Sequence, residues 1–464
     1  MNQLPRPEAS SANSWRFPTP DVRELANGLT VWRFNLPGQH VVTAQLVLDV
    51  PLTLEVPEVE GIATIALRTS DEGTVQHLGE QLVDALESAG AAFDGGASAS
   101  ATLCSIDVPN TRLATALPLL AEIVQSPQYD PADVERHVAL RLAELEQTMV
   151  SAPSLASLAV RRVVFDDSSR EARPQGGLPD TVAAITPELV RAFHDRHWRP
   201  DGATLILAGD LDDSVDALVD QAFGAWGSVS GTALHVIPTP RGAQTVLDGK
   251  RVVHLVDLPG AVQTEIRVSG IGVDRTSLDF APLQVAANAM GGSFGSRLNT
   301  VLREEKGYTY GVHFSVAPAR LSGSWAVSAS VRTEVTVDAL AETLRIMALD
   351  EDFTADEVSD AINQQLGIAP LRYDTAGAIA NQAATLAASG WEADFVNLHF
   401  TRVGQVTPGS ASAAYRKIVR PDNSHVVLVG DAGTLRPQLE AAGHEVRPVD
   451  PFDAGELLQG GLGG

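Results

Sequence analysis

RPDGATLILAGD, residues 199–210, returns as RPDNSHVVLVGD, residues 420–431. Each copy reads as a turn on Arg-Pro-Asp that enters an apolar, β-rich strand and closes on Gly-Asp. From 199 to 420 the offset is 221, and at that offset the likeness extends backward. ELANGLTVWRF (24–34) lies over TVLDGKRVVHL (245–255), placing the turn dipeptides Asn27-Gly28 and Asp248-Gly249 together between apolar strands. That spacing predicts a type I′ hairpin in both. VTAQLVLDV (42–50) lies over QTEIRVSGI (263–271), both alternating with period two. At 224, YDPADVERHVALRLAELEQ (129–147) lies over FTADEVSDAINQQLGIAP (353–370), two helices opened by a polar cap.

The chain is therefore an internal duplication, too long in its unit and too few in copies for a solenoid. Each unit runs strands, helix, strands, helices, strand. That order predicts an α+β fold, two tandem homologous units, each a mainly antiparallel sheet covered on one face by helices. A Gly-, Ser-, Pro- and Thr-rich stretch at 227–244 divides the chain into an N-terminal unit (1–230), a linker (231–244) and a C-terminal unit (245–464). The tail 455–464 reads as frayed.

Composition narrows the function. With 464 residues, 44% hydrophobic and 20% charged, the chain reads as a packed protein of several domains. A net charge of −25 repels phosphate backbones and anionic headgroups, which argues against nucleic acid and membrane partners. The same balance weakly favours a basic peptide. The start of the chain shows no apolar secretion signal, and no run reaches the ~18 residues of a membrane span, so the cytoplasm is the expected compartment. Cys104, the one cysteine, reads as a buried thiol.

GIATIALRTSDEGT (61–74) is an apolar helix that stops at Gly-Thr. In this two-unit setting it resembles the first helix of the pitrilysin or insulinase (inverzincin) peptidase family, which includes mitochondrial processing peptidase. There the pattern runs Gly-Leu-Ala-His-x-x-Glu-His to a Gly-Thr, two histidines holding zinc and the glutamate serving as general base. Laid on that pattern, the ligand and base positions here are Thr64, Leu67 and Arg68. Leucine takes no proton and a cationic arginine repels zinc. Glu144 matches the third ligand and, alone, reads as a solvated or salt-bridged helix residue. No cofactor is expected in this chain.

GGSFGSRLNTVLREEKGYTYGVHFS (291–315) resembles the family's other functional segment. In the family an arginine, and a tyrosine seven residues later, reach toward the zinc site, and here they match Arg303 and Tyr310. Taken by themselves, Arg303 reads as an ion-pair partner of Glu304 and Tyr310 as a half-buried strand residue. Within the matched segment they read as catalytic and substrate-binding donors, with Gly307 stopping the helix between them. The resemblance implies two units clasping a central chamber, and a substrate peptide added to a sheet edge. That edge is expected within 95–108, with Ala99 and Ala101 as substrate-binding positions.

The implied function is the zinc-less subunit of a heterodimeric bacterial metallopeptidase whose homologous partner carries the zinc. A non-catalytic structural or peptide-binding homologue stands as the alternative, and a stand-alone peptidase with a relocated metal as a third. His194 and His197 of HDRH have a spacing that could hold a metal, but read as packing and surface residues. His77 lacks ligands around it, and GGSFG lacks the ending of a phosphate-binding loop.

Overall fold

The computed structural model describes residues 15–227, 245–320, 323–421 and 424–453. The expected linker 231–244 and tail 455–464 lie outside them. Thirteen strands appear in chain order: β1 (Asp21–Glu24), β2 (Thr30–Asn35), β3 (Val41–Leu48), β4 (Ala92–Ala97), β5 (Thr102–Pro109), β6 (Thr204–Gly209), β7 (Val246–Leu247), β8 (Lys250–Asp257), β9 (Gln263–Ile271), β10 (Thr309–Pro318), β11 (Gly323–Arg332), β12 (His425–Gly430) and β13 (Glu445–Pro448). They form two sheets, ordered β1-β2-β6-β3-β5-β4 and β10-β11-β9-β12-β8-β13, with β7 beside β8.

The two quoted stretches become β6 and β12, the same strand of each sheet. Each runs parallel to one neighbour, β2 or β8, and antiparallel to the other, β3 or β9. After their first residues, Thr204 and His425, both are apolar rather than alternating, and strands of that kind have both faces covered. Leu205 and Leu207 pack into one apolar cluster and Ile206 and Ala208 into another; Val426 and Leu428 separate from Val427 and Val429 in the same way.

The second face corrects the expectation of one helical layer. On its first face each sheet carries helices of its own unit. The opposite face of the N-terminal sheet is covered by the helix Ala376–Ala388 of the C-terminal unit, packed on β3 and β6, and the opposite face of the C-terminal sheet by the helix Ala152–Val164 of the N-terminal unit, packed on β9 and β12. These two helices are repeat counterparts. The units have exchanged them, so each completes the other's core. Ala380, Ala383 and Ala384 are buried in that contact, where a small side chain lets the helix lie close to the strands. Ala383→Leu is expected to lower stability by about 1–3 kcal/mol through overpacking, read as a lower denaturant midpoint.

The hairpin expectation holds in one copy. Asp248 and Gly249 have φ of 47° and 78°, as a two-residue type I′ turn requires. In the first copy Gly28 alone is left-handed, at 89°, and the loop from Leu25 to Leu29 is closed by the Gly28 N–H donating to the Leu25 carbonyl at 3.0 Å. Among the described residues no helix is long and apolar enough to cross a membrane.

Candidate functional site

The helix Ile62–Ser70 is anchored before it begins. Gly61 opens it at φ 103°, and a Cβ there would lie 2.8 Å from the Gly176 carbonyl oxygen. The Gly61 and Ala63 N–H groups donate to Glu55 Oε1 at 3.1 and 3.0 Å, satisfying two of the helix's unpaired donors. Arg170 reaches Glu55 Oε2 through Nε (2.9 Å) and Nη2 (2.8 Å), and Arg173 forks onto Glu60 at 2.7 to 2.9 Å. All four charged side chains are buried. Burial pushes the Glu55 carboxyl up, while Arg170 and the Ala63 N–H pull against it.

So held, the helix turns Thr64, Leu67 and Arg68 toward a cavity of about 490 Å³. The opposite wall is Gly95, Gly96 and Ala97 of β4, and Arg141 and Leu145 of the helix Pro131–Thr148 form a side. β4 is the outermost strand of its sheet. A Cβ on Gly95 would come within 2.6 Å of the Leu103 carbonyl oxygen and 3.0 Å of Leu67 Cδ1, so only glycine lets the strand lie this close to the helix.

Two of the lining arginines share one carboxylate: Arg68 Nη1 meets Glu144 Oε1 at 2.7 Å, and Arg141 Nη1 meets Oε2 at 3.0 Å. Burial would raise the Glu144 carboxyl, but the Arg68 and Arg141 guanidiniums outweigh it and hold it below the usual carboxylate range. Glu144 is thus salt-bridged, one of the two roles its sequence suggested. The donor set does not fit zinc: a hydroxyl, a methyl-tipped side chain and a guanidinium stand at the three motif positions, and the carboxylate is taken by two cations.

Ala99 and Ala101 are placed differently from expectation. They fall in the turn between β4 and β5, where the Ser98 N–H and hydroxyl both donate to the Ala101 carbonyl at 2.9 Å, and Ala101 is buried. β5 itself is paired on both sides, by β3 and β4. The free edge is therefore β4, and only 95–97 of the expected stretch belong to it.

The C-terminal segment is built around Asn299. Its buried amide donates to the Ser293 carbonyl (3.0 Å), Ser296 Oγ (3.1 Å) and the Val312 carbonyl (2.8 Å), and Oδ1 accepts from the Val312 N–H (2.8 Å). The chain on either side of it makes wide i to i+5 turns, Ser293 N–H to Asn288 O and Lys306 N–H to Val301 O. Such turns are frequent at functional sites. Gly307, at φ 62°, ends the second of them as expected.

β10 then breaks register. Thr309 pairs with Val331 and Val312 with Ala329, so Tyr310 and Gly311 together oppose one residue of β11. The bulge throws Tyr310 outward until it is 97% exposed, in place of a half-buried strand residue. Arg303 lies with Cζ 3.5 Å from the centre of the Phe294 ring and Nη2 3.5 Å from Glu304 Oε1. Phe294 escaped the sequence reading. A large apolar residue set between glycines and serines, with no core to enter, was the signal. Neither Arg303 nor Tyr310 lines the cavity beside Arg68, whose walls come from residues 64 to 176.

The remaining candidates are structural. His194 is buried and its Nε2 lies 2.8 Å from the Val124 carbonyl oxygen, while His77 Nδ1 contacts Glu122 Oε2 at 2.7 Å. Cys104 is buried, and burial pushes its thiol up. Among the described residues no three His, Cys, Asp or Glu side chains gather as metal ligands.

Residues 31–165 match the family description "Insulinase (Peptidase family M16)" and residues 184–365 match "Peptidase M16 inactive domain". An uncharacterized zinc protease of Streptomyces coelicolor is 24% identical over 428 residues, covering 89% of this chain and 90% of that protein. The mitochondrial-processing peptidase subunit beta of Blastocladiella emersonii is 25% identical over 285 residues, 60% of this chain and 57% of that one. Among solved structures, a peptidase M16 inactive domain from Pseudomonas fluorescens superposes with a TM-score of 0.81 at 22% identity, over 89% of this chain and 98% of that one. A protease from Helicobacter pylori gives 0.80 at 15%, over 89% and 100%. The two family descriptions take up both units, and with the duplicated α+β architecture they establish that the chain belongs to the insulinase family of peptidases, family M16.

Proposed function

We propose that this chain is the zinc-less subunit of a two-chain zinc peptidase, and that it lends Arg303 and Tyr310 to a site whose metal is held by a homologous partner. One asymmetry carries the reading. The metal face of the N-terminal unit is closed by the Arg68–Glu144 ion pair, whereas the C-terminal unit displays Tyr310 on a bulge that Asn299 braces, beside an Arg303 stacked on Phe294. A phenol that exposed serves nothing within its own chain.

Peptide cleavage builds negative charge on the carbonyl oxygen of the scissile bond. A phenol O–H and a guanidinium are donors suited to that oxygen or to the backbone carbonyl beside it. The partner brings the His-x-x-Glu-His helix, and the substrate peptide adds as a strand to a free sheet edge. In this chain the corresponding edge is Gly95–Ala97 of β4, facing the chamber that the two subunits enclose. A cytoplasmic setting suits the buried, lone Cys104.

The test mixes this chain with a homologue from the same host that carries the complete His-x-x-Glu-His motif. Neither chain alone is expected to cleave a labelled unstructured peptide, and the mixture is expected to elute as a one-to-one complex that does. A relative that is fully active alone and gains nothing from this chain would defeat the proposal. It would favour the second reading, a non-catalytic scaffold or peptide-binding homologue, to which the closed Arg68–Glu144 face also conforms.

A further inference from the structure

The duplication gives the degenerate metal cavity a counterpart that the proposed catalysis does not use. One residue short of the 221 of the flanking strands, at an offset of 220, Thr64, Leu67 and Arg68 fall on Gln284, Ala287 and Asn288, which keep the same i, i+3, i+4 spacing on the helix Phe280–Ala287 and the turn after it. All three counterparts line a second cavity of about 490 Å³, beside residues 313–318 of the edge strand β10. The place of β4 is taken by β10, and that of the helix Pro131–Thr148 by Ala355–Gly367.

The two cavities differ in how their cations are matched. In the first, Arg68 and Arg141 share Glu144, and Arg161 lies 3.4 Å from Glu171. The second is lined by Arg275, Arg372, His313 and His399; neither lining includes an aspartate or glutamate, but among the described residues no carboxylate pairs with Arg275 as Glu144 and Glu171 pair with the arginines of the first. The Nε of Arg275 and the Nδ1 of His399 are buried without a hydrogen-bond partner among the described residues. Leaving a buried donor unmatched is costly, so the Arg275 N–H asks for an acceptor from elsewhere, and the neutral His399 ring can donate beside it in its Nδ1–H tautomer.

The walls fix these groups in place. Arg275 lies over the Phe280 ring, Cζ 5.8 Å from its centre, and the His399 ring lies 5.0 Å from Phe280 and 6.0 Å, stacked, from Phe395. Burial, together with the Arg275 and Arg402 guanidiniums, lowers His399 to about 4, so its ring is neutral at neutral pH and Arg275 carries the charge. The Tyr373 hydroxyl already donates to Gln382 Oε1 at 3.0 Å.

We infer that this second cavity is a recognition site for a carboxylate, with the Arg275 guanidinium and the His399 imidazole as its two fixed donors and Arg372 at its mouth. A carboxylate offers two oxygens to two such donors, and its hydrogen bonds to a guanidinium are among the strong ones. β10 supplies the means of presenting it. As the outermost strand it has one side unpaired, so an extended peptide can lie along it and place an acidic side chain in the cavity. The chain as a whole is strongly acidic, with a net charge of −25, so this basic pocket runs against its overall charge.

The inference does not depend on a partner subunit and is tested on the full chain alone. Fluorescence anisotropy is measured for labelled Ala-Ala-Glu-Ala-Ala and for the same peptide with Gln in place of Glu. The Glu peptide is expected to bind about tenfold tighter or more, the worth of one charge-assisted hydrogen bond. Arg275→Gln is expected to erase that preference. Arg372→Gln, a substitution at an exposed residue, should reduce it even if the first variant folds poorly. Glutarate that displaces the peptide at equal concentration would keep the carboxylate site and assign it to free acids. Equal binding of the two peptides, or displacement by inorganic phosphate where glutarate fails, would overturn it.

Discussion

Arg170→Ala is expected to lower stability by about 3–5 kcal/mol, the range for removing one partner of a buried ion pair. The effect is large because the loss is not confined to the pair. Arg170 Nη2 also donates to the Gln175 carbonyl at 2.9 Å, and its partner Glu55 caps the first turn of the helix Ile62–Ser70. Without the arginine a carboxylate is left buried and uncompensated beneath the helix that carries Thr64, Leu67 and Arg68, and the Pro174–Gly176 wall of the cavity loses its tie. Denaturant titration measures the cost. Adding Glu55→Gln to Arg170→Ala should recover part of the loss, because an amide is far cheaper to bury than an unpaired charge. A double variant no more stable than the single one would show that the charge is not the cause.

Tyr310→Phe and Arg303→Ala are each expected to lower turnover in the assembled complex by about 10²-fold or more, the effect of deleting one donor aimed at a developing oxyanion. Neither side chain supports the fold. Tyr310 stands in solvent on its bulge, and the charged head of Arg303 stacks on Phe294 beside Glu304, outside the apolar core, so melting temperature and complex mass should stay unchanged. Peptide turnover, measured beside size-exclusion mass, separates the two effects. Unchanged turnover in both variants would remove these residues from the chemistry. Loss of assembly instead would make them interface anchors.

The duplication was legible because its signals are local: Arg-Pro-Asp entering a strand, Gly-Asp leaving it, and turn dipeptides at a steady offset. The loss of the metal motif was legible for the same reason, since Thr64, Leu67 and Arg68 fall within one helix. The exchange of helices was not. Ala376–Ala388 presents alanines at helical spacing, and that pattern is the same whichever sheet it covers. The Arg68–Glu144 contact joins residues 76 positions apart, so the two could be noticed separately but not paired. Residues 95–101, all Gly, Ala or Ser, carry no periodicity to show where β4 ends and its turn begins. For that reason the sequence places Ala99 and Ala101 on an edge that the backbone has already left. The bulge at Tyr310 depends on Asn299, eleven residues earlier, whose side chain replaces ladder hydrogen bonds that no strand pattern reveals.

The proposed division of labour requires that this chain hold no catalytic metal and that a partner hold one. Zinc content per polypeptide, measured by atomic emission after purification in zinc-containing buffer, tests this most directly. The account predicts no stoichiometric zinc on this chain alone, and one zinc per complex that remains with the partner when the two are separated. One zinc per isolated copy of this chain would contradict it.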